Sequence, residues 1–244
     1  MIRLLRAELL KLLTARLLLW LALLTLGFVL LVTTLTAAQS SREDLASVNT
    51  QRDLVVIAGV SALVALVLGI VAAAGEYAHG TIAHTFLVAP VRERVVLAKL
   101  LAAALGGLAL AVFAGAVSYG LAALWIAGRS GPSHLASWDT SAPLFGTLVA
   151  AAVSAAIGVG FGMLVRRQTA AVVLALVWLL VGEPLLATAG AQAYGPGHAV
   201  VSVVEAGRQG SELLEFWGGF AVALGYAVVL AVLGTLSVKG SDVT

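Results

Sequence analysis

LLLWLALLTLGFVLLVTTLTAAQSS, residues 17–41, contains no Asp, Glu, Lys or Arg. About 20 apolar residues suffice for a helix to cross a hydrocarbon core of ~30 Å. Three more charge-free runs follow: Leu54–Ala74, Leu100–Gly128 and Ser141–Val165. The chain of 244 residues is 61% apolar and 11% charged. Ordinary soluble domains are roughly 45–50% apolar and about 25% charged. Surface-to-volume scaling limits how much apolar area a soluble fold of this length can bury. A soluble enzyme, a disordered chain and a secreted disulfide scaffold are excluded. An outer-membrane barrel is excluded too, because its strands alternate apolar and polar positions. A net charge of +2 is no electrostatic footprint for nucleic acid, so no such partner is expected. With no cysteine, disulfide and thiolate chemistry are absent.

The expected fold is all-α: a polytopic membrane protein in a single domain, 1–244. An N-terminal amphipathic interfacial helix (1–16) precedes six transmembrane helices at about 17–37, 54–74, 99–127, 143–165, 169–190 and 217–238. MIRLLRAELLKLLTAR, residues 1–16, sets Ile2, Leu5, Leu9 and Leu12 at helical spacing, with Arg3, Ala7, Lys11 and Thr14 opposite. That pattern predicts a helix in the interface with its apolar side toward the acyl chains. The plainer reading is a basic flank that only fixes orientation. Glu8 and Lys11 make an i,i+3 pair. A cleavable signal peptide is disfavoured, because the apolar run exceeds the usual ~7–15 residues. Residues 38–53 read as a polar loop. Basic residues set orientation. With the N-terminus inside, ten of them (Arg3, Arg6, Lys11, Arg16, Arg92, Arg94, Lys99, Arg166, Arg167, Lys239) are cytoplasmic and four (Arg42, Arg52, Arg129, Arg208) are outside. Both termini are therefore expected in the cytoplasm.

GEYAHGTIAHTFLVAPVRER, residues 75–94, is the most informative stretch outside the spans. It is too long for a plain hairpin turn. Gly80 and Thr81 can break the chain and restart it, with Thr81 as N-cap. Pro90 ends the helix so begun. Ile82, Phe86 and Leu87 then form an apolar stripe suited to a protein partner, although an interfacial loop without a partner fits the same residues. His79 and His84 are five apart, off the i,i+4 spacing of a helical zinc pair, so no metal site is expected.

G-E-Y-x-x-G-T after the second span, then an apolar turn, Pro90, a basic cluster and Lys99, resembles the permease subunit of ABC-2 type ABC transporters. R-A-E-L-L-K-L, residues 6–12, is similar to that family's connecting helix. The six-span layout, with a longer outer segment between spans five and six, is also similar. Where such permeases often carry Arg after Tyr77, this chain has Ala78. The resemblance implies an ATP-driven exporter in a bacterial-type plasma (inner) membrane. A separate ABC ATPase subunit, expected in two copies, would bind ATP and Mg, leaving no cofactor in this chain. A second permease chain, identical or sister, would complete the path. Residues 75–98 would be the cytoplasmic coupling segment, with Glu76, Tyr77, Gly80, Thr81, Ile82, Phe86 and Leu87 engaging the ATPase. The chain has no G-x-x-x-x-G-K-[ST] P-loop, H-E-x-x-H or G-x-S-x-G motif, so it is not expected to be an enzyme. Two rival classes stay open: a secondary transporter or channel without an ATPase, and a membrane assembly factor or intramembrane enzyme. The enzyme would need a base near Ser61, Ser118 or Ser154, and no His lies in an expected span.

Glu183-Pro184 interrupts the fifth apolar run. An ionisable group at membrane depth is a functional hypothesis by default, and a proline there removes a donor and can kink the helix. Glu183 either lines the transport path or marks the outer interface of a short span, and the second reading is the simpler. Gly158-x-x-x-Gly162 permits close helix packing and lacks the strand and acidic residue of a dinucleotide fingerprint. Residues 191–216 form outer re-entrant or interfacial helices, as the resemblance implies, or a plain loop.

Overall fold

The computed structural model describes residues 1–14, 16–78, 80–81, 91–129, 131–205 and 213–239, with Val238 and Lys239 by backbone alone. All regular structure among the described residues is helical. The elements are α1 (Ile2–Thr14), α2 (Leu17–Gln39), α3 (Arg42–Leu45), α4 (Val48–Ala78), α5 (Arg92–Gly128), α6 (Trp138–Val165), α7 (Gln168–Thr188), α8 (Pro196–Glu205) and α9 (Phe216–Lys239). Six of them, α2, α4, α5, α6, α7 and α9, are long and apolar enough to cross a membrane. Hydrocarbon offers no partner to backbone N–H and C=O groups, so these stretches must satisfy them internally as helices. The chain is an all-α polytopic membrane protein.

α6 is the hub. Its most apolar window is 61% buried, against 56% for α4, 44% for α5 and 11% for α7. α4, α5, α8 and α9 pack around α6, while α7 lies outside on α4 and α6. Apolar side chains gain nothing by exchanging lipid tails for one another, so such helices hold together by close backbone approach. The main core is accordingly alanine-rich, with Ala65 and Ala73 of α4, Ala103 of α5, and Ala151 and Ala155 of α6. A side chain at Gly158 would collide with the Leu66 carbonyl, and a Cβ at Gly162 would stand 2.8 Å from Ile70 O. This face of α6 rides directly on the backbone of α4.

The same contacts give the helix directions. Gly158 and Gly162 meet Leu66 and Ile70 in rising order, so α4 and α6 run parallel. Ser118 donates to Leu54 O at 2.6 Å and Lys99 to Ala72 O at 3.2 Å, so α4 and α5 run antiparallel. One end of the bundle, hereafter the basic end, carries α1 and the α4–α5 and α6–α7 connections. The far end carries α3, residues 131–137 and α8.

Three features depart from the sequence reading. Residues 38–53 are largely helical: Ser41 and Asp44 form a capping box on α3, and Ser47 caps α4, which starts at Val48. Two of their polar residues, Gln51 and Arg52, are buried clamps. Gln51 Nε2 donates to Leu45 O at 2.9 Å and Pro132 O at 2.8 Å, and its Oε1 accepts from His134 N at 2.7 Å. Pro143, expected at the start of its span, lies inside α6. It has no N–H for Asp139 O four residues back, and Arg52 Nη1 takes that carbonyl at 2.5 Å. Finally, Leu5, Leu9 and Leu12 of α1 pack on a cluster that includes Leu68 of α4 and Ala102 of α5, not on acyl chains. Glu8 shares that face and is buried with it. A carboxylate there requires cations, and the bundle supplies them.

Candidate functional site

At the basic end, α1 lies across the feet of α4 and α5, and four charged side chains meet. Lys99 Nζ is 2.7 Å from Glu8 Oε2 and 2.9 Å from Glu76 Oε1. Lys99 also donates to Ala72 O at 3.2 Å. Lys11 Nζ is 2.7 Å from both Glu8 Oε1 and Glu76 Oε1. Each carboxylate thus meets both cations. Removing a charge from water costs several kcal/mol unless it is well paired. Glu8 meets that condition through both oxygens, while Glu76 pairs through Oε1 alone and its buried Oε2 has no hydrogen-bond partner among the described residues; Lys99 is 4% exposed, and Lys11, 47% exposed, closes the quartet on the solvent side. Burial raises the Glu8 carboxyl, but Lys99 and Lys11 outweigh it and hold the group below its ordinary 4.5. Burial lowers the Lys11 ammonium, but hydrogen bonds to Glu76 and Glu8 outweigh it and hold the group above its ordinary 10.5.

The end of α4 explains the spacing of the GEYAHGT motif. Gly80 has φ +66°, a conformation glycine adopts without a Cβ penalty. Its N–H donates to Tyr77 O at 3.3 Å, and the Thr81 N–H donates to Glu76 O at 3.0 Å. These two bonds are a Schellman cap. The Thr81 N–H therefore closes α4, and the helix it was expected to N-cap, at 82–90, lies outside the described residues. Glu76 lies in the last turn, with its carbonyl in the cap and its carboxylate in the quartet. Tyr77 makes a second connection. Arg166, which ends α6 with φ 58°, places its guanidinium 5.5 Å from the Tyr77 ring centroid. Its Nη2 donates to Ser237 O at 2.6 Å and Ser237 Oγ at 2.7 Å. Residues 76 and 77 thereby join α4 to α1, α5, the end of α6 and α9.

Of the residues assigned to coupling, Glu76 and Tyr77 sit in these two connections, and Gly80 and Thr81 form the cap. Ile82, Phe86 and Leu87 lie outside the described residues, as do His79 and His84. Sequence reasoning missed Glu8, Lys99 and Arg166 as partners. The available signal was Glu8 itself, a charge one turn from Leu5 and Leu12 on a face otherwise apolar.

At the far end, Glu183 is buried, with 3% of its side chain exposed. It follows a π turn, Trp178–Gly182, in which its own N–H reaches back to Trp178 O. Pro184 next to it has no N–H to offer Leu180, and α7 widens there instead of breaking. The Glu183 carboxylate accepts from the backbone N–H of Gly197 and, at 2.8 Å, of His198. His198 Nδ1 lies 2.5 Å from Glu183 Oε2. A carboxylate so placed complements the positive end of the α8 dipole. At the other end of α8, Arg52 Nη2 donates to Glu205 O. α8 is therefore held at both ends by charges of the favourable sign, one from α7 and one from α4. Below it lies a cavity of 760 Å³ lined by α4, α6, α7, α8 and α9, with Glu183 and His198 in its lining.

No curated protein matches this chain in sequence. A family profile for ABC-2 family transporter proteins matches residues 4–182, which takes in α1, the quartet, the Glu76–Thr81 cap and the π turn of α7. Members of that family are typically non-enzymatic membrane subunits. With most of its length matched and six helices able to cross a bilayer, the chain belongs to the ABC-2 family of transporter proteins, as a membrane-spanning permease subunit of an ABC transporter.

Proposed function

We propose that this permease works as an exporter driven by a separate ABC ATPase, which binds ATP and Mg and seats on the segment that follows α4. The basic end then faces the cytoplasm of a bacterial-type inner membrane, with both termini inside. Ten basic residues against four support that orientation. Family membership supports the ATPase partner. One observation carries the mechanical part: Glu76 and Tyr77, immediately before the segment, contact α1 and α5 directly and α9 through Arg166. Only one helical turn separates Glu76 from the Gly80 cap, so displacement of the segment reaches these helices without a flexible spacer. Six spans enclose little space, so two permease chains, identical or sister, pair with two ATPase copies. In this scheme Glu183, next to Pro184, borders the cavity below α8. The carboxylate is engaged by α8 and holds that helix over the outer half of the bundle.

The test is Phe86→Asp in the assembled complex. A carboxylate in a desolvated apolar contact costs several kcal/mol unless paired. The ATPase chain is expected to be lost from the purified complex while the permease remains inserted. Unchanged co-purification refutes docking at this segment. Orientation has its own test: a reporter at Thr244 is expected to signal from the cytoplasm and one at Ser133 from outside, and a cytoplasmic signal at Ser133 overturns it.

A further inference from the structure

We propose that the cavity below α8 binds a drug-sized lipophilic primary amine, whose head donates a hydrogen bond to His198 Nε2. The volume of 760 Å³ falls within the ~300–1,000 Å³ of pockets that hold such ligands. Leu63, Leu66, Ile157, Phe161, Leu179 and Leu230 give it apolar walls. α7, through Trp178 and Leu179, and α9, through Tyr226 and Leu230, both contribute to its wall. Trp178 and Tyr226 line the cavity, yet they are 45% and 36% exposed. On a membrane helix that exposure faces lipid, so a ligand enters from the bilayer and must itself be lipophilic.

The polar groups select the head. The ionisable residues in the lining are Glu183, His198, Glu205 and Tyr226. Glu183 accepts from two backbone N–H groups and from the His198 ring. Nδ1 faces that carboxylate, so Nε2 is the ring nitrogen left to a ligand; in the Nδ1–H tautomer it is an acceptor, on a side chain 33% exposed. The Tyr226 hydroxyl donates to Tyr194 O at 3.1 Å, which leaves its oxygen as an acceptor. Acceptors backed by the Glu183 charge favour a protonated amine, which carries both donors and positive charge. A fatty acid meets like charge, and a quaternary ammonium has no proton to donate. None of this involves ATP or the coupling segment, so the site stands or falls independently of the exporter reading.

The test uses the purified chain in phosphatidylcholine nanodiscs, with tetradecylamine as the probe and empty nanodiscs as the partition blank in titration calorimetry. Saturable binding is expected, with tetradecyltrimethylammonium and tetradecanoic acid at least tenfold weaker. Ile157→Trp fills the cavity without touching His198 and is expected to abolish binding. His198→Leu is expected to weaken the amine at least tenfold. If that variant does not fold, Ile157→Trp and the ligand series decide. Equal binding of the amine and the trimethylammonium, or unchanged binding to Ile157→Trp, overturns the proposal. So does a co-purifying two-chain phospholipid that tetradecylamine fails to displace from the cavity.

Discussion

Lys99→Met removes one charge from the quartet and keeps most of the side chain's volume and apolar stem. Three contacts of the ammonium vanish, to Glu8, Glu76 and Ala72 O. Lys11 alone then faces two carboxylates. Because Lys99 is only 4% exposed, water does not replace what is lost. Removing one partner of a buried ion pair costs about 3–5 kcal/mol. At ~2–4 °C per kcal/mol for a chain of this size, the melting temperature is expected to fall by roughly 6–20 °C. Thermal melts of the purified chain in a single detergent, followed by circular dichroism, measure this. Lys11→Met is expected to cost about 1 kcal/mol or less, since that ammonium is half in solvent. Glu8→Leu with Lys99→Met removes a matched pair and leaves Lys11 with Glu76, so it is expected to be milder than Lys99→Met alone. A Lys99→Met melt within about 2 °C of wild type, or a double variant worse than the single, refutes the reasoning. The pH profile carries the same signature. Glu8 titrates below its ordinary 4.5 in the fold, so its contribution is complete above that value and is lost as pH falls through the lowered one. Lys11 titrates above its ordinary 10.5, so its contribution is complete below that value and is lost as pH rises through the raised one. The quartet therefore supports a plateau between those limits, with losses on both sides.

Glu183→Gln keeps the acceptor oxygen but not the charge, and is expected to destabilise α8 by about 0.3–2 kcal/mol. Faster amide exchange confined to residues 196–205 would register it, whereas protection equal to wild type would refute the anchoring role. Arg52→Met removes the donor from the part-buried carbonyls of Asp139 and Glu205 and is expected to cost about 0.5–1.5 kcal/mol for each hydrogen bond lost. A melt unchanged by it would mean that neither carbonyl depends on Arg52. Gly158→Leu drives a side chain into the Leu66 carbonyl and is expected to abolish the monodisperse folded peak in size exclusion. Gly120→Ala, where nothing lies within 4 Å of an added Cβ, serves as its control. It is expected to be stabilising by about 0.4–1 kcal/mol.

The six apolar helices were legible because apolar length is a local property of the chain. The quartet was not. Glu8 pairs with Lys99 and Lys11 with Glu76 across 91 and 65 positions, and nothing local to any of these residues names its partner. Glu8 and Lys11 read as a surface pair one turn apart, because the sequence alone does not show that α1 docks on the bundle with Glu8 inward. Gln51 and Arg52 misled in the opposite way. Polar residues ahead of an apolar run suggest a loop, yet both are buried, and what they satisfy are carbonyls at Leu45, Pro132, Asp139 and Glu205. Glu183 was visible as an ionisable group at depth, but its role depended on whether residues 196–205 would be a helix with its N-terminus beside it. The Gly80 cap lay between these extremes. The glycine announced a stop, and only the bonds to Tyr77 and Glu76 show that the stop is built on the two residues that tie the helices together.

Pro143 and Arg52, 91 residues apart, are coupled through one carbonyl, and inheritance would have to respect that. The proline withholds a backbone proton from Asp139 O, and the arginine supplies one from another helix. A lineage that lost the arginine first would leave that carbonyl without its protein donor. A lineage that first replaced the proline with an ordinary residue would restore the internal helix bond and leave the arginine competing for an acceptor already occupied. Neither intermediate is neutral, and the second is the milder, because the guanidinium keeps Glu205 O. Among descendants of this chain the two sites are therefore expected to change in order, proline before arginine, with Glu205 O the one acceptor that still holds Arg52 in place after the first change.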